Sequence, residues 1–319
     1  MLDRRTVLRG LAAASAFVAA SGISGCSSPF ENVRLRLATG GTQGVYYTIG
    51  SALAQSWQQE LGLRHPPEVL STAGSVDNLN RLLDGAVDVA FCQVDAAAES
   101  LRALPRDHPV QVRALGRVYD EFVHVVVPRG APVQHLADLR GLRVSVGAEE
   151  SGVYVVARRL LEAAGLTVDD LRAEYLGINE SVSALADDRI DAFFWTGGVP
   201  TGGVTALAEQ LPIRLLDLSD VLPEIRARHP VYAPGTVPAR SYGIEKSITT
   251  VLVRNFLLVD ARMPDDLAYA LIKALFEAQD ELVVINPLAL SIDLRAAIST
   301  EPVPLHPGAL RYYRDAKDA

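Results

Sequence analysis

Val33-Arg-Leu-Arg-Leu-Ala-Thr-Gly-Gly-Thr-Gln-Gly-Val-Tyr-Tyr-Thr-Ile-Gly50 decides how this chain is read. Its first six residues, Val33 to Ala38, alternate as a half-buried strand does. Glycines at 40, 41 and 44 turn the backbone sharply and leave N–H groups uncovered by any side chain. An amphipathic helix then runs toward Gln59, its positive dipole end facing the same space. A strand, a bare glycine loop and a helix start make a ready anion site. Thr42, Tyr46 and Tyr47 add hydroxyl groups and flat apolar faces at its rim. The dinucleotide fingerprint does not fit, because Gly40 and Gly41 are adjacent and no glycine stands in phase before Gly44. The P-loop pattern fails as well, since no Gly-Lys-Ser/Thr follows. A glycine turn also serves plain close packing of strand on helix. The rest of the chain decides between a ligand loop and a packing loop.

Strands and helices alternate from here. Glu68 to Thr72 reads as a strand, Ala73-Gly-Ser75 as a loop with Ser75 as N-cap, and Val76, Leu79, Leu82 and Leu83 recur at helical spacing up to Gly85. Val87 to Cys92 is the next strand and runs into Gln93-Val-Asp95, where a fresh helix begins. Such alternation means parallel strands with crossover helices, and ligands then sit beyond the carboxyl ends of the strands. The β-branched run Phe122 to Val127, closed by Pro128, leaves the first domain. Then the pattern starts again: strand Leu142 to Val146, loop to Ser151, helix Gly152 to Ala164. Gly152-Val-Tyr154 echoes Gly44-Val-Tyr46, and Asp187-Asp-Arg-Ile-Asp-Ala-Phe-Phe194 echoes Asp84-Gly-Ala-Val-Asp-Val-Ala-Phe91. The second of these leads to the loop Thr196-Gly-Gly-Val-Pro-Thr201. Lys246 to Val253 resembles the outgoing strand and brings the chain back, and helices spanning 264–282 and starting at His306 finish it. The expectation is an α/β chain with domain 1 at 33–125 plus 247–319 and domain 2 at 126–246. Two strand crossings between them form a double hinge around a cleft.

The first 25 residues are expected to lie outside the fold. Arg4, Arg5 and Arg9, a short alanine-rich run and Gly22-Ile-Ser-Gly-Cys26 describe a signal peptide too short to span a bilayer as a stable helix. Ile23-Ser-Gly-Cys26 resembles a bacterial lipobox, which makes Cys26 the lipidated first residue, followed by a linker at 26–32. Arg4-Arg5-Thr-Val-Leu8 also resembles a twin-arginine export signal, so both export routes stay open. Cleavage before Cys26 would remove those arginines and Asp3, taking the formal charge from −8 to −10. An acidic chain of this kind is not expected to bind nucleic acid. With Cys26 acylated only Cys92 remains, within an apolar run, as a buried small hydrophobe. No histidine has a cysteine or carboxylate partner at metal spacing, His124 reads as a core residue, and no G-x-S-x-G or H-E-x-x-H motif occurs. No metal, cofactor or catalytic residue is therefore expected.

Thr39 to Gly50, Ala73-Gly-Ser-Val-Asp-Asn-Leu79, Asp88-Val-Ala-Phe-Cys-Gln-Val-Asp95 and Leu305-His-Pro-Gly-Ala-Leu-Arg-Tyr-Tyr313 together resemble the TAXI-type solute receptors of TRAP transporters. The resemblance runs from about Val33 to Tyr313. It implies a two-domain type II periplasmic-binding-protein (venus-flytrap) fold. It further implies an exported, lipid-anchored receptor that delivers a small organic acid (a dicarboxylate, 2-oxo acid or acidic amino acid) to an ion-gradient-driven permease. Carried onto this chain, its ligand-binding positions are Gly41, Thr42, Gly44, Tyr46, Tyr47, Ser75, Gln93, Asp95, Ser151, Gly152, Gly198 and Thr201. Val153 departs from it, since the family usually has Ser-Gly-Thr where this chain has Ser151-Gly152-Val153. The lost hydroxyl either changes the ligand or lies on the helix side, where it is neutral.

None of these loops carries Arg or Lys, so a carboxylate would be held by backbone N–H groups and hydroxyls at helix starts. Arg117 and Arg240 lie near the crossings. Asp95 serves equally as a helix N-cap or, with Glu121, as acceptor for an ammonium group. Two alternatives stand beside the receptor: an exported α/β enzyme with a glycine-loop cofactor site, and a binding protein coupled to a sensor or an ATP-driven permease.

Overall fold

The computed structural model describes residues 28–105 and 107–318; the expected signal segment and Cys26 lie outside them. In the first third, β1 (Arg36–Ala38), α1 (Val45–Glu60), β2 (Glu68–Leu70), α2 (Ser75–Leu83), β3 (Val89–Gln93) and α3 (Val94–Ala103) lead to the long β4 (Val112–Pro128). The same order recurs as β5 (Arg143–Ser145), α4 (Gly152–Ala163), β6 (Arg172–Glu174), α5 (Ile178–Ala186), β7 (Ala192–Gly197) and α6 (Gly202–Gln210). After β8 (Ile213–Leu215), α7 (Leu222–Arg228) and β9 (Ala233–Val237), a second long strand, β10 (Ile248–Asp260), returns. Helices α8 (Asp265–Glu277), α9 (Gln279–Ile285), α10 (Leu294–Ala297) and α11 (Pro307–Asp318) end the chain.

The strands form one sheet in the order β2-β1-β3-β10-β4-β7-β5-β6, with β8 on β4 and β9 on β10. Read from either edge the pattern is the same. β1 lies between β2 and β3, all parallel, as β5 lies between β6 and β7. The next strand inward, β10 on one side and β4 on the other, is antiparallel.

The internal repeat has a chemical signature. Arg36 donates from its backbone N–H (2.8 Å) and guanidinium to Asp88, and from Nη2 to the Gly85 carbonyl (3.0 Å). Arg143 donates in the same way to Asp191 (2.8 Å from the backbone) and to the Asp188 carbonyl (2.7 Å). Each clamp joins the entrances of two adjacent parallel strands, β1 to β3 and β5 to β7, at the end away from the loops. These aspartates are the fifth residues of the echoed segments, at the entrances to β3 and β7.

β4 and β10 join the halves. β4 pairs with β10 through Val112 to Phe122, then with β7 and β8 through Phe122 to Pro128. β10 pairs with β9 over Ile248 to Leu252 and with β3 from Asn255 onward. Both strands thus change partners where Glu121 faces Val253. One apolar core sits under α1, α8 and α11, where Ile49, Leu53 and Trp57 recur on one helix face and Trp57 Nε1 donates to the Leu271 carbonyl (3.0 Å). Another lies under α5 and α6, and a third runs through both halves.

Three local expectations change. Ser75 is the first residue of α2 and not its cap; Gly74 holds the cap position at φ +128, where a side chain would be strained. The segment 264–282 is two helices, because Gln279 Nε2 donates to the Ala289 and Ile292 carbonyls and ties the chain to the turn that follows α9. Pro264 precedes α8 as its N-cap. His124 is buried in the core, with Nε2 against the Tyr242 hydroxyl at 3.1 Å, and burial pushes it down to about 4. Cys92 is buried too, and burial pushes its thiol up.

The two arginine clamps should be energetically equivalent. Asp88→Asn and Asp191→Asn are each expected to lower unfolding free energy by about 1 kcal/mol, a partly exposed charge-assisted bond's share. The double variant should lose about the sum, as urea denaturation will show.

Candidate functional site

A cavity of about 310 Å³ lies beyond the carboxyl ends of β1, β3, β5 and β7, enclosed between the halves. Of the residues singled out in the sequence, Gly41, Thr42, Gly44, Tyr46, Ser75, Gln93, Ser151, Gly152 and Val153 line it. Tyr47, Asp95, Gly198 and Thr201 do not.

Four helices start at this cavity: α1, α2, α4 and α5. Their first turns are used differently. In α2 the Val76 and Asp77 N–H groups donate to the Glu150 carbonyl of the opposite half, at 3.1 and 2.9 Å. This helix start is spent on holding the cleft shut. In α4 the Ser151 hydroxyl caps Tyr154 N–H (3.1 Å) and donates to the Ala148 carbonyl (2.6 Å). The N–H groups of Gly152 and Val153, and those of Ile178 and Asn179 in α5, have no acceptor among the described residues. Unpaired first-turn N–H groups at a positive dipole end favour an anion. Val153 lines the cavity yet is 6% exposed, wedged under Gly147, so its side chain mostly packs.

The floor is a network of uncharged donors and acceptors around one acid. Gln93 Nε2 donates to Glu121 Oε2 at 2.6 Å and to the Thr196 hydroxyl. Its backbone N–H donates to Ser75 Oγ at 3.1 Å. Ser75 Oγ lies 3.3 Å from the Tyr46 hydroxyl, which donates to Asn255 Oδ1. The Tyr46 ring stacks on Phe91 with centroids 5.0 Å apart. Gln93 Oε1 is buried without a partner. Burial pushes Glu121 up to about 8, against the pull of hydrogen bonds from Gln93, Thr196 and Asn255. Burial, and then the Glu121 charge, push the Tyr46 hydroxyl well up.

Among the described residues no Lys, Arg or His lines the cavity; its acids are Glu121 and, at the rim, the exposed Glu180. Arg117 pairs with Asp120 and stays outside, as does Arg240. Among the described residues no group of three His, Cys, Asp or Glu could hold a metal ion, and no helix is long and apolar enough to cross a membrane.

The remaining sequence candidates sit behind the walls. Asp95 is fully buried, accepting from Ala96 N–H (2.8 Å) and from the Tyr232 hydroxyl (2.6 Å). That hydroxyl accepts from Arg159 Nη1 (3.1 Å), and Arg159 Nη2 reaches Glu99 (2.7 Å). Asp95 is therefore part of a tie between the halves, and burial raises its carboxyl despite the Tyr232 hydrogen bond and Arg159. The Thr201 hydroxyl donates to the Gly198 carbonyl (2.6 Å) and accepts from Trp195 Nε1 (3.2 Å), fixing an indole that does line the cavity. Gly198 packs under Leu288. Tyr47 is half-buried on another face of α1.

Trp195 and Thr196 lie at the site but were not singled out. The repeat held the signal for Thr196. It stands as far past Asp191 as Gln93 stands past Asp88, and the two equivalent residues meet across the cleft. For Trp195 and Asn179 no local motif exists.

The model of the NMT1-like family matches residues 37–316, so the chain belongs to that family. Solved structures share the fold at low identity. A putative L-cystine ABC transporter from Listeria monocytogenes is 14% identical, with 82% of this chain and 98% of that one covered and a TM-score of 0.52. A structure described as a periplasmic transporter is 16% identical over 90% and 93%, with a TM-score of 0.52. The alkanesulfonate-binding protein SsuA from Xanthomonas axonopodis pv. citri, bound to MOPS, is 18% identical over 89% and 84%, with a TM-score of 0.50. Periplasmic-binding-protein neighbours and the sheet order agree on a two-domain α/β fold.

Gly152 tests the closed geometry. A Cβ there would come within 2.1 Å of Gln93 Oε1 and 2.9 Å of Ser75 Oγ, both on the opposite half. Alanine suits a helix start, so Gly152→Ala should keep the fold of each half but hold the cleft open. The expected readouts are unchanged circular dichroism with an increased radius of gyration in small-angle scattering.

Proposed function

We propose that this member of the NMT1-like family is an extracytoplasmic solute-binding receptor. It captures a small organic acid, a dicarboxylate, 2-oxo acid or acidic amino acid, by closing two lobes over the cavity. The lobes are 33–125 with 247–319, and 126–246. The captured acid passes to a TRAP-type, ion-gradient-driven permease, with the receptor held at the membrane by lipid on Cys26.

The observation that carries this is the lining of the cavity. It is ringed by helix starts with unpaired N–H groups, contains no cationic side chain among the described residues, and is closed by contacts between the halves. Such a site suits a small anion held by backbone dipoles. It offers no nucleophile paired with a base and no metal group, which favours a receptor over an enzyme. The TRAP assignment rests on the four stretches that resemble TAXI-type receptors. The neighbours that are described as ABC-type or alkanesulfonate-binding support a second coupling, in which the same capture feeds an ATP-driven permease. The gene beside this one separates the two couplings.

Calorimetric titration with dicarboxylates, 2-oxo acids, acidic amino acids and alkanesulfonates tests the ligand class. At least one carboxylate is expected to bind, and silence across the panel by folded protein sinks the proposal. Tyr46→Ala removes the stacked ring and the Ser75–Asn255 bridge, and should weaken that binding by about tenfold or more, some 1.4 kcal/mol. A variant that binds normally would place Tyr46 among the packing residues.

A further inference from the structure

Glu121 occupies a singular position. It lies where β4 passes from one half to the other, facing Val253 of β10, and it also lines the cavity. It is 4% exposed. Every group that faces it is uncharged or acidic. β3 contributes the Gln93 amide, β7 the Thr196 hydroxyl and β10 Asn255. The titratable neighbours are Tyr46 of α1, Tyr119 of β4 and Asp95 of α3. From α2 and α4 the cavity receives only Ser75, Ser151, Gly152 and Val153, and from α5 Ile178, Asn179 and the rim residue Glu180. Asp120 and Arg117, the nearest ion pair in sequence, bond to each other and do not line the cavity.

We infer that Glu121 sets the charge the cavity accepts: the cleft closes on a carboxylate ligand with Glu121 as the uncharged acid, one proton passing from solvent to its carboxylate. This deepens the anion-receptor proposal and rests on it. A ligand carboxylate and an ionised Glu121 repel one another in an enclosed site without a cation, which favours the protonated acid. The site has no cation to give, so the proton must come from water. Burial, against the pull of its hydrogen bonds, already lifts Glu121 to about 8, and a bound anion lifts it further.

Gln93 supplies a second observation. Its amide now donates to Glu121 and Thr196 while Oε1 is left buried and unpaired. Amide oxygen and nitrogen exchange places on a half-turn. With Glu121 protonated, the turned amide accepts from the Glu121 acid and the Thr196 hydroxyl. Nε2 then takes the present place of Oε1, against Gly152 and Ser75 at the cavity wall. The orphan acceptor at that wall is replaced by an amide donor.

The test titrates succinate and 2-oxoglutarate into the protein in buffers of different ionisation enthalpy from roughly pH 7 to 9.5; neither ligand titrates in that range. Wild type should take up about one proton per ligand near pH 9, and its affinity should fall about tenfold per pH unit above roughly pH 8. Glu121→Gln, a permanently uncharged isostere, should bind without uptake and with a flat pH profile. It keeps Glu180, so a flat profile assigns the proton to Glu121. Binding by wild type with no uptake, uptake that survives in Glu121→Gln, or affinity that rises with pH would each overturn the inference alone. Failure of every carboxylate to bind folded wild type at pH 7 would overturn the anion-receptor proposal and this inference with it. The wild-type measurement stands by itself should Glu121→Gln not fold.

Discussion

Everything in this molecule hangs on the antiparallel pairing of β4 with β10. Each strand is buried along most of its length and serves both halves: β4 is edged by β10 and then by β7 and β8, β10 by β9 and then by β3. The ladder is irregular between Arg254 and Phe256, next to the point where the halves meet. A continuous pair of strands resists translation but tolerates twist, which suits rotation of one half against the other. The cavity floor is set on this same point. Tyr46, Gln93, Thr196 and Asn255 converge on Glu121 from α1, β3, β7 and β10. Hinge and floor are one structure, so any change in charge at the floor is felt where the halves turn.

The contacts that close the cleft are layered around this axis. In front, the Glu150 carbonyl sits on the start of α2 and Gly152 lies against Gln93. Behind, Asp95, Tyr232, Arg159 and Glu99 form a chain of hydrogen bonds with its aspartate fully buried. A buried carboxylate beside a buried guanidinium contributes little net stability relative to an apolar packing. What it fixes is orientation, because leaving either partner alone in the core is costly.

The fold was legible for a physical reason: strand–helix alternation and glycine-bearing loops are local, and local pattern suffices to set a parallel α/β layout. The aspartates of the echoed segments, Asp88 and Asp191, were visible as well, and each meets the arginine that enters the neighbouring strand. The site was legible only where a residue belongs to such a loop. Gly41, Gly44, Ser75 and Gly152 follow directly from the grammar of strand, turn and helix. Asp95 shares that grammar, yet its carboxylate turns away from the cavity because Tyr232, more than a hundred residues on, offers it a partner. Ser75 looked like a cap because its cap is replaced by a carbonyl from the other half. Trp195 and Asn179 carry no periodic or motif signal; only the closing of two distant loops brings them to one wall. Apart from Gln93 and Thr196, which the repeat matches, contacts made across the cleft are where sequence is silent.

The bond from the Glu150 carbonyl to α2 has a consequence of its own. It is made wholly by main chain on both sides, Val76 and Asp77 N–H to a peptide oxygen. No side-chain replacement at those positions other than proline removes it, and the dipole of α2 is met by whatever residue stands at 150. Over evolutionary time this one contact survives exchange of the side chains around it, whereas the Asp95–Tyr232–Arg159–Glu99 chain behind it does not. At the front of the cleft, then, one half meets the other through the shape of the backbone.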